Sequence, residues 1–310
     1  MTCSTRLRWR LARRARRDDG QVLVLAAVGM VAICGVAGFA IDVGTWYQAQ
    51  RHQQAIADAA ALAAAGNLPL NTTQAAIDAD AYAGKNGGSA KSTTFSTQYL
   101  PNDTVTVETQ ATQPTYFLKV LGINSATVKA TAVARAENLG AAWGAAPFAV
   151  INTQPELAGP GCPCFGASTT LDLSKVGPGG FEIIDIDGSS GGSGQSILAS
   201  WILGGCSCKT STPAWLYSDA GAKFNASEVK DAMDTRLGDD LLFPVYDTTQ
   251  GGGSNLQYHV IGFAGFHVTG YAFQGNGGRI TGYFTKVDWT GTGSGSASNY
   301  FGATTTRLVG

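Results

Sequence analysis

The sequence has no H-E-x-x-H and no Walker loop, and it holds only three histidines. Those gaps remove zinc-dependent proteolysis of that type and P-loop phosphoryl transfer. The Gly/Ser stretch after Asp185-Ile186-Asp187-Gly188 lacks the Lys-Ser/Thr ending that would grip a phosphate, and reads as a surface loop. Charge is scarce as well: Asp, Glu, Lys and Arg make up 14% of 310 residues. The basic character is concentrated at one end. Arg6, Arg8, Arg10, Arg13, Arg14, Arg16 and Arg17 give residues 1–20 a net +5, leaving −6 for the remainder of a chain at −1. A basic head that abuts an apolar run fits an anionic lipid leaflet and not nucleic acid.

That apolar run spans residues 22–41, where nothing is charged. About 20 helical residues rise roughly 30 Å, the hydrocarbon thickness of a bilayer. Clustered arginines mark the cytoplasmic side, and interfacial aromatics such as Trp46 and Tyr47 mark the far side. Asp42 then reads as the first residue to emerge from the membrane, with the bulk of the chain outside. Three other readings fit less well. A signal peptide cut after Gly38-Phe39-Ala40 would need an unusually long apolar region. A lipid-modified Cys34 would follow Ile33 where a small residue belongs. A buried core helix would leave the arginine leader without a purpose.

Beyond the span, GTWYQAQRHQQAIADAAALAAAG continues as helix to Gly66, with Pro69 as a stop. Its Gln, Arg and His are expected to face water, and Ala55, Ile56, Ala59, Ala60, Leu62 and Ala63 to form a packing stripe. A short helix follows, capped by Asn71 or Thr72. FSTQYL and TVTVETQ read as a hairpin around Pro101-Asn102-Asp103, PTYFLKVLGI as a short helix or compact turn, and SATVKATAVARAE as a strand. AENLGAAWGAAP looks like a hinge. Past it, two short helices accompany strands, of which DLLFPVYDTTQGGGSNLQYHVIGFAGFHVTGYAF is the strongest hairpin signal. The expected class is α+β: a transmembrane helix continuing into a stalk helix packed on a small antiparallel sheet, then a β-rich C-terminal domain. The expected divisions are leader 1–20, span 21–41, α+β module 42–137, linker 138–147, β-rich domain 148–290 and a loosely ordered tail 291–310.

Cys162-Pro-Cys164 and Cys206-Ser-Cys208 are disulfide candidates in the exterior portion. A cross-link between the two pairs strains the backbone less than closing either C-x-C on itself. Free thiols and a metal site remain alternatives, although zinc sites use C-x₂₋₄-C spacing. His259 and His267 lie about 27 Å apart along one strand, too far to share a metal. Asp185 and Asp187, on one strand face, are candidates for Ca²⁺, but a recognised loop would add a third acidic ligand and a terminal Glu. Trp201, Trp215 and Trp289 are candidates for glycan contact. No residue is assigned a catalytic role, and no cofactor is expected.

GQVLVLAAV, then GFAIDVGTWYQAQRHQQAIADAAALAAA, over roughly residues 15–66, resembles the N-terminal region of TadG-like proteins, of the TadE/TadG-like set. PTYFLKVLGINSATVKATAVARA is similar to the family's next stretch. FEIIDIDG, SWILGG, PVYD, VIGFAGFHVTGY and ITGYFTKV extend the similarity to about residue 290. The resemblance implies a single-pass protein of the bacterial cytoplasmic membrane, with residues 42–137 pilin-like. It further implies a role without known catalysis in assembling or anchoring Flp (tight-adherence) pili, among other envelope proteins. The small-residue stripe of the stalk helix, for its part, fits packing on its own domain or, alternatively, on copies of the chain or partner subunits. The chain departs from processed prepilins. Gly20-Gln21 supplies the cleavage glycine, but Leu25 stands where Glu belongs, and Asp42 lies about 31 Å along the helix from Gln21. A retained anchor is therefore favoured. The alternative is a surface module binding a cell-wall or host ligand; a hydrolase would need a cleft with convergent acids or a Ser/His pair.

Overall fold

In the computed structural model, residues 19–160, 162–173, 181–190, 192–219, 223–252, 255–274, 277–296 and 300–309 are described. The arginines of the leader lie outside them. The helices are α1 (Asp19–Ala65), α2 (Thr72–Lys85), α3 (Pro155–Ala158), α4 (Gln195–Gly204) and α5 (Ser227–Thr235). The strands in chain order are β1 (Ala90–Ser96), β2 (Thr104–Pro114), β3 (Ser125–Trp143), β4 (Phe148–Ile151), β5 (Ser168–Asp172), β6 (Phe181–Ile183), β7 (Lys209–Ser211), β8 (Ala214–Tyr217), β9 (Asp240–Gln250), β10 (Gln257–Gln274), β11 (Gly277–Thr285), β12 (Val287–Asp288), β13 (Gly291–Gly293) and β14 (Ala303–Leu308). One seven-stranded sheet runs β1-β2-β3-β14-β12, with β13 and β7 also on β3; the other runs β5-β11-β10-β9-β4-β6, with β8 on β10. A long apolar helix followed by a β-rich region is the α+β class expected from sequence.

The chain divides into two compact units. One takes in α1 through Ala60 with Asp80–Ser92 and Val107–Ala132; the other holds Ala61–Ala79, Thr93–Thr106 and Val133–Gly310. In the first unit, glutamines fasten α1 to strand backbone. Gln50 Nε2 donates to the Lys129 carbonyl at 2.5 Å and Gln54 Nε2 to that of Thr131 at 3.2 Å, while the Thr109 hydroxyl donates to the Gln53 carbonyl at 3.0 Å. Gln53, Ile56, Ala57 and Ala60 are buried, a spacing that keeps one helix face inward. This corrects the expected stripe. Ala55 and Leu62 are exposed, because Gln53, expected to face water, turns inward and the buried face is rotated by one residue. Asn71, and not Thr72, caps α2, its side chain accepting the Gln74 N–H at 2.9 Å.

In the second unit, alternation along β9 sets the core. Leu241, Phe243 and Val245 pack with Phe266 and Val268 of β10, Phe284 of β11, Leu198 and Ile202 of α4, and Val229 and Met233 of α5. Leu242, between them in sequence, faces the opposite way into a cluster with Leu139, Ala142, Trp201, Phe263 and Val287. Phe266 stacks at 5.1 Å from Phe243 and meets Phe284 edge-on at 5.1 Å, which gives aromatic order to the centre of the sheet.

Two segments differ from expectation. The region 138–147, read as a linker, is strand to Trp143, since β14 pairs along 134–138 and β7 and β13 take up the residues beyond. The tail, read as loosely ordered, supplies β13 and β14. Arg307 of β14 holds the buried Glu137 of β3 through Nη2 at 2.6 Å and Nε at 3.0 Å. A carboxylate taken out of water requires such pairing, so this contact fixes the register of the last strand.

Candidate functional site

The apolar run of α1 ends at Asp42, and that side chain is fully buried. Its Oδ1 accepts the Tyr116 N–H at 2.8 Å; its Oδ2 accepts those of Phe117 at 3.0 Å and Leu118 at 2.7 Å. These amides open a 3-10 turn, Leu118–Leu121, closed by Gly122 at φ 84°. The turn's own Phe117 offers no side-chain cap. A carboxylate from a distant helix therefore does for this turn what an N-cap side chain normally does from within. One turn earlier on α1, Gly38 lies under Phe117: a Cβ there would sit 2.6 Å from the ring's Cγ. Tyr47 is exposed with the Arg51 guanidinium over its ring at 5.6 Å, and Trp46 is half-buried. Asp42 thus has a structural partner where sequence offered only emergence into water.

Asp103 repeats the device in the other unit. Its carboxylate accepts the N–H groups of Gln98, Tyr99 and Leu100 at 2.9, 2.7 and 2.8 Å and the Thr104 hydroxyl at 2.8 Å. Burial pushes its pKa up, but the four donors outweigh burial and hold it below the ordinary value. Neither Asp103 nor Glu137 was singled out in the sequence. The Asn102-Asp103 turn was a signal for the first; nothing local marks the second.

The Ca²⁺ candidates part company. Strand β6 ends at Ile183, so Asp185 and Asp187 do not share a strand face. Asp187 Oδ1 accepts the Ser189 N–H at 2.9 Å on an exposed turn. Asp185 is buried, with the Gly192 N–H on Oδ2 at 3.0 Å and no partner on Oδ1. Burial pushes the Asp185 carboxyl up to about 6, the Asp219 carboxylate adds to the rise, and the Gly192 N–H opposes it. Among the described residues, no group of three or more His, Cys, Asp or Glu is placed to hold a metal.

Each C-x-C closes on itself, contrary to the preference for a link between pairs: Cys162–Cys164 with Cα atoms 4.4 Å apart and Cys206–Cys208 at 5.1 Å. The pairs sit in separate surroundings. The Cys164 N–H donates to the Glu156 carbonyl, whereas Cys206 is buried with Leu139, Ala142 and Trp201. His259 and His267, both on β10, bind Asp247 at 2.8 Å and Asp240 at 2.7 Å. Of the tryptophans, Trp201 is core and Trp289 donates to the Trp143 carbonyl at 2.7 Å. Trp215 is 40% exposed and lies 4.8 Å from the His259 ring, beside a cleft of about 440 Å³ that His259, Asp247 and Ile261 help to line.

No curated protein and no solved structure is similar enough to the chain to count as a match. Residues 20–67 match a family model, Tad, described as putative Flp pilus-assembly TadE/G-like; the match ends there and does not reach the resemblance read further along the chain. The segment it covers is α1, the one helix among the described residues long and apolar enough to cross a membrane, so over these residues the chain is similar to TadE/G-like proteins.

Proposed function

We propose that the chain is a single-pass, non-catalytic component of Flp/Tad-type pilus assembly or cell-envelope anchoring. It sits in a bacterial cytoplasmic membrane with its N-terminus inside and the sheets outside. The observation that carries this reading is the coincidence of the Tad match with the apolar helix. The seven leader arginines support the orientation, and two disulfides suit an oxidising exterior. Other assembly proteins are the partners, and copies associate, where they do, through the exposed Ala55 and Leu62 on α1. Deleting the gene tests the role: surface pili should vanish while pilin is still made. Piliation at normal levels would defeat it. Protease added to intact spheroplasts should cut the sheet-bearing part and spare a tag at the N-terminus.

A second reading, a surface module for a cell-wall ligand, is favoured by Trp215 exposed beside the cleft. Pull-down of the full-length protein in detergent with insoluble cell-wall glycan tests it, and no retention removes it.

A further inference from the structure

We infer that the turn at 116–123 is a second membrane contact, dipping into the outer leaflet beside α1. This rests on reading α1 as the anchor. The turn is held at the right depth. Asp42 clamps its first three amides at the end of the apolar run, and the Phe117 ring lies on Gly38, four residues and so about 6 Å back toward the bilayer centre. Its side chains are what lipid would accept. Val120 is 89% exposed and Leu121 75%, and Tyr116, Phe117 and Ile123 are also exposed. So dense an apolar surface on a short turn marks a contact site, and its level beside the span points to lipid. Lys119 is the single charge, on a stem long enough to reach the headgroups, and Tyr116 joins Trp46 and Tyr47 in an interfacial belt.

Most of the turn's backbone N–H groups find partners within the protein, which lowers the cost of leaving water. Besides the three amides on Asp42, the Thr115 N–H donates to Asn124, Val120 to Phe117, Gly122 to Lys119 and Ile123 to Leu118. The Thr115 hydroxyl closes onto the Ile123 carbonyl.

The test places a fluorophore on Val120→Cys in the full-length protein, with Cys3 and Cys34 changed to Ser, at one copy per lipid nanodisc. Val31→Cys in the apolar run and Lys91→Cys on β1 serve as controls. Spin-labelled lipid should quench the labels at positions 31 and 120 and leave that at 91 bright. Because Val120 is so exposed, its replacement leaves packing untouched. Quenching at 31 with iodide, and not lipid, quenching at 120 would overturn the inference and leave the anchor standing. No lipid quenching at 31 would remove the anchor and the inference with it. Protection of position 120 from both quenchers, seen only at two copies per disc, would give the face to a second copy and overturn it too.

Discussion

The Asp42 carboxylate receives the Leu118 N–H at 2.7 Å although 76 positions separate them. With Tyr116 and Phe117 on the same carboxylate, one side chain fixes the turn to α1. Asp42→Ala leaves one buried and two part-buried donors without an acceptor, which frees the turn and not the sheet. In nanodiscs, amide exchange at Tyr116, Phe117 and Leu118 should quicken while strand amides of β2 keep their protection. Asp42→Asn, with one acceptor oxygen left, should fall between. Unchanged protection in Asp42→Ala would show that the turn holds without its clamp.

Gly38 makes a separate prediction. A Cβ there meets Phe117 at Cγ, Cβ and Cδ1 within 2.6–2.7 Å, near the root of that side chain, so the ring cannot simply swing away. Gly38→Ala should cost about 1–3 kcal/mol of unfolding free energy, as overpacked sites do. Gly35→Ala, with nothing within 4 Å, should be neutral. Thermal unfolding of both variants in the same detergent checks the contrast, and equal midpoints would mean that Phe117 does not rest on Gly38.

These contacts mark the boundary of what sequence made legible. α1 was readable as a long apolar helix because length and composition alone carry that signal. The β9–β10 hairpin was readable from alternation around a glycine-rich turn. β3 beyond residue 137 was not. Asn138, Gly140 and the alanines there have little strand preference, and β14, β13 and β7 impose the conformation from outside. The same holds for Asp42, whose partners lie too far along the chain for any local pattern to reveal. The cysteines misled for a different reason: backbone strain was weighed, while the fold keeps the two pairs in separate surroundings.

That separation is itself testable. Digestion without reduction should release Cys162 with Cys164 on one peptide and Cys206 with Cys208 on another, with no species joining the two. Because each bridge closes a loop of three residues, its removal should cost only about 1–2 kcal/mol by the chain-entropy relation. A large collapse of the unfolding midpoint on reduction would contradict the local pairing.

Asp103 should make the protein acid-sensitive. Its folded pKa lies below the ordinary value, so the stabilisation is present above about pH 4 and is lost as pH falls through the folded pKa. Asp103→Ala should lose about 2–3 kcal/mol at pH 7, the scale of hydrogen bonds to a charged acceptor, and less at pH 3. Urea midpoints at the two pH values give the comparison. A loss that did not shrink in acid would place the effect outside the carboxylate's charge.

Asp185 should act in the opposite sense. Its folded pKa of about 6 exceeds its ordinary 3.8, so the native state holds the proton more tightly, and stability falls as pH rises from about 4 to about 6. The cause is a buried carboxylate beside Asp219 with one oxygen unpartnered. Asp185→Asn keeps an acceptor for the Gly192 N–H and removes the charge. It should raise stability at pH 7.5 by about 1–2 kcal/mol, after discounting for solvent screening, and flatten the slope between pH 4 and 6. Urea titrations of both proteins across that window decide the matter. If Asp185→Asn were instead less stable at pH 7.5, the charged form would have a favourable partner, and the strain assigned to this buried acid would be wrong.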